Sequence, residues 1–490
     1  LALLAILSGA GGTAAAPARH VADSTLRVWV DLRDKGPSVA ASPERAYEDA
    51  PVHRPYLEQL RGAGFAVATV VKWQNRVSGK VRARDVEALR ALAPVLRVEE
   101  MPRKARPIRF PSTASAPAPM RKSLASPGLY QQVFDSLQAT RLRDAVLARG
   151  QALGQGVRIA LIDVGFDIGH DAYQHLRARG PRDQWDFVGN DAVAVSNALS
   201  SENHGALVLS PLAARSSTME GLAPDAEYLY YRAEDEASEA YVEEDYVAAA
   251  IERAVDSGAH VINISLGYRY DFSAAADIPY ASMNGRTRPA SLAALGAARR
   301  NVLVSVAMGN EGATRNGFPA ITSPADADSI LAVSMLSFSQ AACSYASGGP
   351  SSDGRIKPDI SSTGVSPARP CEMATVTPAS LSGYGYTAGT SLAAPVITGI
   401  AALLRQLHPA ASAQAIRSAL LATAGRATQA DSAAGYGLAR AWNAHVILLG
   451  APVPLAPSQA LPAAKASAGA RDARGRVRDA GASPVFRPRE

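Results

Sequence analysis

Four short stretches carry side chains that could do nucleophilic or acid–base chemistry. Asp163 closes the apolar run VRIALID (157–163) and is followed by VGFDIGH. A carboxylate there can orient an imidazole or simply cap the next turn, and Asp167 and Asp171 are rivals for the same role. His204 lies in SENHGALVLSPLAA, directly before Gly205 and a small-residue helical pattern. A neutral histidine at a helix start, made accessible by glycine, suits a general base. It can equally be an ordinary loop histidine, with His170 and His175 as competitors near the same strand. Ser391 lies in YTAGTSLAAPVITGIAALL. Gly-Thr-Ser ahead of a helix places a hydroxyl where the helix dipole and unpaired amides stabilise negative charge; the plain alternative is an N-cap serine. Asn310 follows NVLVSVAMG and precedes Glu-Gly, so its amide can donate to a developing oxyanion or merely occupy a left-handed turn.

These residues need a frame. Strand patterns occur at 157–163, 226–233, 260–266, 301–308 and 329–336, with helical patterns VEEDYVAAAIERAVDSG, PASLAALGAARR and SLAAPVITGIAALLRQLHP between or after them. Continuous apolar strands alternating with helices predict a mostly parallel sheet covered on both faces, an α/β domain over 129–447. Each candidate then falls at a strand's C-terminal end or a helix N-terminus, where open α/β sheets place ligands. Upstream, LRVWVDL, HRPYLEQLRGAG, FAVATVVKW, RARDVEALRALA and PVLRVEEM read as strand, helix, strand, helix, strand, with one further strand allowed. This is the order of a ferredoxin-like α+β unit, assigned to 21–105. Residues 106–128 are aperiodic and rich in Pro, Ser and basic side chains, an exposed protease-sensitive linker. The Ala/Pro/Arg-rich stretch 448–490 is predicted to be disordered. No internal repeat is found.

Composition excludes several classes. The chain has 490 residues, 47% hydrophobic and 19% charged, ordinary usage for a large core. The net charge of +6 is unevenly spread. Residues 1–150 hold 23 basic against 13 acidic side chains, 451–490 hold 7 against 3, and 151–450 hold 20 against 28. The central domain is acidic, which excludes a general nucleic-acid surface. No run of 18 apolar residues follows the N-terminus, so no membrane span is expected in the mature protein. At the N-terminus, LALLAIL followed by GAGGTAAAPA reads as the apolar and cleavage regions of a secretory signal over 1–20. It lacks a Met and a basic flank, so it reads as truncated; a short buried helix is the alternative. Two cysteines, Cys343 and Cys371, are too few for a disulfide framework or zinc ribbon. They suit one loop-closing disulfide in an oxidising compartment, or else two unpaired buried thiols. The expected location is extracellular or periplasmic.

In chain order these segments resemble the subtilisin-like serine proteases (subtilases). IALID at Asp163, NHG at His204, AMGNEG at Asn310 and GTSLAAP at Ser391 carry the resemblance, in the family's order Asp, His, Asn, Ser. GLAPDAEYLYYRA, AHVINISLG and SSDGRIKPDI add to it, and the similarity covers roughly 150–447. The resemblance implies Ser391 as nucleophile, His204 as general base and then acid, and Asp163 as the group that orients the imidazole. It implies Asn310 and the Ser391 backbone N–H as oxyanion donors. It also implies that Ser265-Leu266-Gly267 and Ala307-Met308-Gly309 flank an extended peptide substrate. The 24–105 unit is similar to the family's inhibitory prodomain, so the protein's own N-terminal unit and a protein or peptide substrate are the expected partners. The chemistry needs no cofactor. Calcium is common in the family, but the scattered aspartates lack EF-hand-like spacing and no ligands are assigned. Two departures stand out: Pro211 should kink the helix after His204, and Met308 replaces a smaller residue, which would narrow the main specificity pocket. Rival readings are a catalytically inactive binding module, a sedolisin-type acid peptidase with Glu in place of His, and an NAD-binding enzyme. DVGFD after the first strand, in place of a Gly-rich loop, opposes the last.

Overall fold

A computed structural model describes residues 24–40, 42–101, 128–200, 203–235, 240–270 and 277–450. The expected leader, nearly all of the linker and all but the first residues of the tail lie outside the described residues.

The N-terminal unit has four strands: β1 (Thr25–Leu32), β2 (Ala66–Val71), β3 (Arg76–Arg82) and β4 (Val95–Glu100). They form one antiparallel sheet in the order β2-β3-β1-β4. Helices α1 (Arg54–Gly62) and α2 (Val86–Arg90) complete the ferredoxin-like arrangement. In β1 the period-2 alternation separates two jobs. Val28, Val30 and Leu32 enter the unit's own core with Leu60, Phe65 and Leu89, whereas Trp29 points the other way. Trp29, Val71 and Met101 join the apolar core of the following domain.

That following domain is built on a seven-stranded, wholly parallel sheet. Its strands are β5 (Arg158–Asp163), β6 (Asp183–Asp186), β7 (Glu227–Arg232), β8 (Val261–Ile264), β9 (Leu303–Ala307), β10 (Leu331–Leu336) and β11 (Ile360–Thr363). Their spatial order is β11-β10-β9-β8-β5-β7-β6. Four helices matter for the site: α3 (His204–Ala213), α4 (Val242–Asp256), α5 (Pro289–Arg299) and α6 (Thr390–Leu407). The order reverses beside β5, so the crevice beyond the C-terminal ends of β5, β8 and β9 is the expected ligand position. A hairpin of β12 (Glu372–Val376) and β13 (Tyr384–Ala388) runs into α6. α6 is long and apolar enough to cross a membrane, yet 89% of it is buried in the fold.

The five strands read from apolar runs are present, each shorter than its run. β6 (DQWD) and β11 (ISST) escape such a reading because they are short and polar. In β11 two of the three buried hydroxyls are bonded, Ser361 Oγ donating to Ala434 O at 2.9 Å and Thr363 Oγ1 to Ser337 O at 3.3 Å, whereas Ser362 Oγ is buried without a partner. The last helix, Ala441–Leu448, reaches just past the boundary expected at 447.

The N-terminal sheet sits on α4 and α5. Glu252 of α4 accepts hydrogen bonds from the Lys72 and Trp73 amides at 2.8 and 2.9 Å, capping the turn between β2 and β3. Trp29 Nε1 donates to Asp245 at 2.5 Å, and Lys72 Nζ pairs with Asp256. Gly296 of α5 leaves room for the Trp73 ring, since an added Cβ would lie 2.8 Å from it. The Arg300 guanidinium stacks on that ring, 4.0 Å from the centroid, and pairs with Glu48 and Asp49.

Candidate active site

Asp163 is the last residue of β5 and is 1% exposed. Its Oδ1 accepts from the Val164 N–H at 2.9 Å and faces His204 Nδ1 at 2.7 Å. His204 opens α3. The helix is capped by Asn203, whose side chain accepts from Ala206 N at 2.8 Å and from Asp167 N at 3.2 Å. Gly205 is required by packing, because a Cβ there would overlap the Gly165 carbonyl of the turn after β5. That close approach brings the imidazole onto Asp163. Pro211 does not break the helix, which continues to Ala213. The Pro211 and Leu212 carbonyls are taken by Leu222 N and Ala223 N at 3.0 and 2.8 Å.

Ser391 is the second residue of α6, behind Gly389 as cap residue at φ +146° and Thr390. It is therefore no N-cap serine; its hydroxyl projects from the first turn, where backbone N–H groups lack intrahelical partners. The Ser391 hydroxyl donates to Ser265 O at 3.3 Å, and Ser265 Oγ donates back to Ser391 O at 2.8 Å. Behind this pair runs a buried chain: Thr398 Oγ1 donates to Asn263 Oδ1 at 2.9 Å, and Asn263 Nδ2 to Ser265 Oγ at 3.1 Å. Ser305 of β9 adds a bond to Ala394 O at 3.1 Å. The polar residues inside otherwise apolar β8 and β9 thus tie the first turns of α6 to the sheet.

Asn310 follows β9 by way of Gly309, which holds φ +112°. Its Oδ1 accepts from Thr390 N at 2.9 Å, and Thr390 Oγ1 lies 3.1 Å from both Asn310 Oδ1 and Gly309 O. With the oxygen so committed, Nδ2 is the end left to act as donor. Thr390 carries no signal of its own in the sequence beyond its place in GTS.

Of the residues expected to flank a substrate, Ser265 is bonded to Ser391, and Leu266 and Ala307 are buried. Met308 is fully buried in the apolar core that also holds Tyr268, Ile278 and Ile321. Thr322, unmarked in the sequence, stands between Gly267 and Gly309. A Cβ at Gly267 would lie 2.5 Å from its Oγ1, and one at Gly309 3.4 Å from its Cγ2.

The rivals sit elsewhere. His170 is locked between Gly383 O at 2.9 Å and the Ala172 N–H at 3.0 Å, and burial lowers its pKa. His175 is pushed down to about 4 by burial and by Arg215 and Arg179. Asp167 pairs with Ser196 Oγ. Cys343 and Cys371 are joined by a disulfide, with Cα atoms 5.8 Å apart. Among the described residues no group of three or more His, Cys, Asp or Glu side chains is placed to hold a metal ion.

Comparison with known proteins bears on the family of the chain. The model of the subtilase family matches residues 154–437, and that of a peptidase S8 propeptide domain of Bacteroidota matches 40–116. A thermophilic serine proteinase of Bacillus sp. (strain AK1) is 28% identical over 292 residues, 59% of this chain and 61% of that protein. Subtilisin-like protease SBT3.13 of Arabidopsis thaliana is 45% identical over 71 residues, 14% of this chain and 9% of the plant protein. The chain thus spans less than two thirds of the length of these relatives. Among solved structures, the prenylagaramide maturation protease PagA aligns over 64% of this chain and 99% of its own, with 22% identity and a TM-score of 0.47.

Proposed function

The chain belongs to the subtilase family, and from that premise we propose that it is a serine endopeptidase, exported and made as a proenzyme. One observation carries the reading: His204 Nδ1 lies 2.7 Å from the buried Asp163 carboxylate, at the crevice where α6 presents Ser391 beside a tethered Asn310. With Nδ1 donating to Asp163, Nε2 is the nitrogen that takes a proton. The Ser391 hydroxyl leaves Ser265 O by rotation about its Cα–Cβ bond and passes its proton to Nε2 as Oγ attacks the scissile carbonyl. Asp163 stabilises the imidazolium. The oxyanion develops toward Asn310 Nδ2 and the Ser391 N–H, preorganised donors that need no rearrangement during the reaction. His204 then protonates the leaving amine, and a water repeats the sequence to release the acyl group.

Residues Ser265–Gly267 and Ala307–Gly309 would flank an extended peptide, with Thr322 closing the space between them. The steps use protein groups alone; a structural calcium ion remains a family-based expectation without assigned ligands. The propeptide-domain match over 40–116 and the docking on α4 and α5 support an intramolecular inhibitor released by cleavage between about Met101 and Leu129. The leader-like N-terminus and the disulfide support an extracellular or periplasmic location.

A serine-directed fluorophosphonate followed by peptide mapping tests the assignment. Label on Ser391 is expected. Label on another serine, such as Ser361 or Ser382, or none on matured protein, would overturn it.

A further inference from the structure

The two proposed oxyanion donors come from distant parts of the chain, Asn310 from the loop after β9 and Ser391 N from the start of α6. Their spacing depends on what ties those segments together. One tie is direct, through Thr390. A second runs through residues 343–347, which lie between the two segments in sequence and touch both in space.

On the Asn310 side, Ser347 N donates to Gly309 O at 3.0 Å and Tyr345 O accepts from Gly312 N at 2.8 Å. Ser347 Oγ accepts from Glu311 N at 3.1 Å. These three bonds bracket Asn310 and leave its loop little freedom. On the Ser391 side, the Tyr345 hydroxyl donates to Cys371 O at 2.6 Å. Cys371 directly precedes β12, whose first residue, Glu372, pairs with Ala388 at the end of β13. Gly389, Thr390 and Ser391 follow. The Cys343–Cys371 disulfide makes the same link covalently, two residues before Tyr345. Cys343 is 3% and Ser347 1% exposed, so both ends of the strap are packed into the fold, while Ser344 between them is exposed. Burial also raises the Tyr345 pKa, which keeps the hydroxyl a donor at any working pH.

We propose that residues 343–347, anchored by the Tyr345 hydroxyl and the Cys343–Cys371 disulfide, form a strap that sets the spacing of the two oxyanion donors, with Tyr345 as a positioning residue. Tyr345 touches none of the reacting atoms in this arrangement. It acts through the Gly309–Gly312 loop on one side and the hairpin leading into α6 on the other. The inference rests on the protease reading above. A loosened strap lets the donors drift in the transition state while the flanking peptide edges stay in place, so turnover suffers and substrate affinity does not.

The test uses the full-length chain allowed to mature, with active sites counted by end-point fluorophosphonate titration and turnover of a peptide anilide measured per titrated site. Tyr345→Phe, which removes only the hydroxyl, is expected to lower kcat about 10-fold with KM within about twofold. Cys343→Ala/Cys371→Ala is expected to act in the same direction, and the triple variant to lose less than the product of the two losses, because both remove one strap. Leu142→Ala, a buried substitution outside the strap, should lower stability yet leave kcat per titrated site unchanged. Should Tyr345→Phe fail to mature, reducing the matured wild-type disulfide is expected to give the same kcat loss, reversed on reoxidation. Unchanged kcat per site in the variants, or in enzyme with both thiols shown to be free, overturns the strap. So does a loss residing in KM alone. In those outcomes Ser391 still takes the label; a wild-type protein that takes none would overturn the protease reading and this inference with it.

Discussion

Docking of the N-terminal unit should depend steeply on pH, because it buries two carboxylates of α4. Asp245 is raised from 3.8 to about 7, chiefly by burial, against the opposing pull of Arg76 and the hydrogen bond from Trp29. Glu252 is raised from 4.5 to about 8, again chiefly by burial, opposed by the Trp73 and Lys72 amides and by the charges of Lys72 and Lys35. The groups that cover both carboxylates come from the N-terminal unit, so separation returns them toward ordinary values. A carboxylate whose pKa is higher in the complex takes up a proton on docking. Its contribution is complete below the free carboxylate range and is lost as pH rises through about 7 for Asp245 and about 8 for Glu252. Each group should weaken docking by ~10²-fold between about pH 5 and about pH 8, with ~10⁴-fold together as a ceiling for two sites on one helix. Lys35, lowered to about 8 by burial, begins to act in the opposite sense at its upper edge. The assay is dissociation of the cleaved N-terminal unit, followed by size exclusion and by recovery of peptide hydrolysis as pH is raised. Glu252→Gln should remove about one proton from the linkage. Docking that stays constant or tightens from pH 5 to pH 8 would refute the reasoning.

Further outcomes follow from the site. Ser391→Ala should abolish hydrolysis by ~10⁴-fold or more while leaving the fold, and should accumulate uncleaved if processing is autocatalytic; normal cleavage would point to another protease acting on the linker. Asn310→Ala should lower kcat by ~10²–10³-fold with little change in KM, and Asn310→Asp should be at least as damaging because a carboxylate repels the oxyanion; a loss confined to KM would make Asn310 a turn residue. The disulfide closes a loop with a sequence separation of 28 and should stabilise by ~3.5 kcal/mol on the chain-entropy model. Denaturant unfolding of Cys343→Ala/Cys371→Ala at unchanged m-value measures it, and an unaltered midpoint would contradict it.

The parts of this protein legible in its sequence are those where the backbone demands a residue type at one place. Apolar runs become strands because they lie inside a two-sided sheet. Gly205 marks a helix pressed against the turn after β5, and Gly309 marks a left-handed bend before Asn310. The Asp163, His204, Asn310 and Ser391 segments, and the alternation that sends Trp29 and Val30 to opposite faces of β1, are local signals of this kind. Short polar strands such as β11 gave none, since hydroxyls such as those of Ser361 and Thr363 find partners only once distant segments close over them. What holds the site in register belongs to tertiary structure alone: Thr390 on Asn310, Thr398 and Asn263 behind Ser265, Tyr345 and Ser347 between two loops, Glu252 capping a turn of another unit. Each is an ordinary polar residue, and its role arises from a partner tens to hundreds of positions away. Chain spacing carries no trace of such pairings, because the free energy that selects them is gained only when folding removes both partners from water and leaves each with the other to bond.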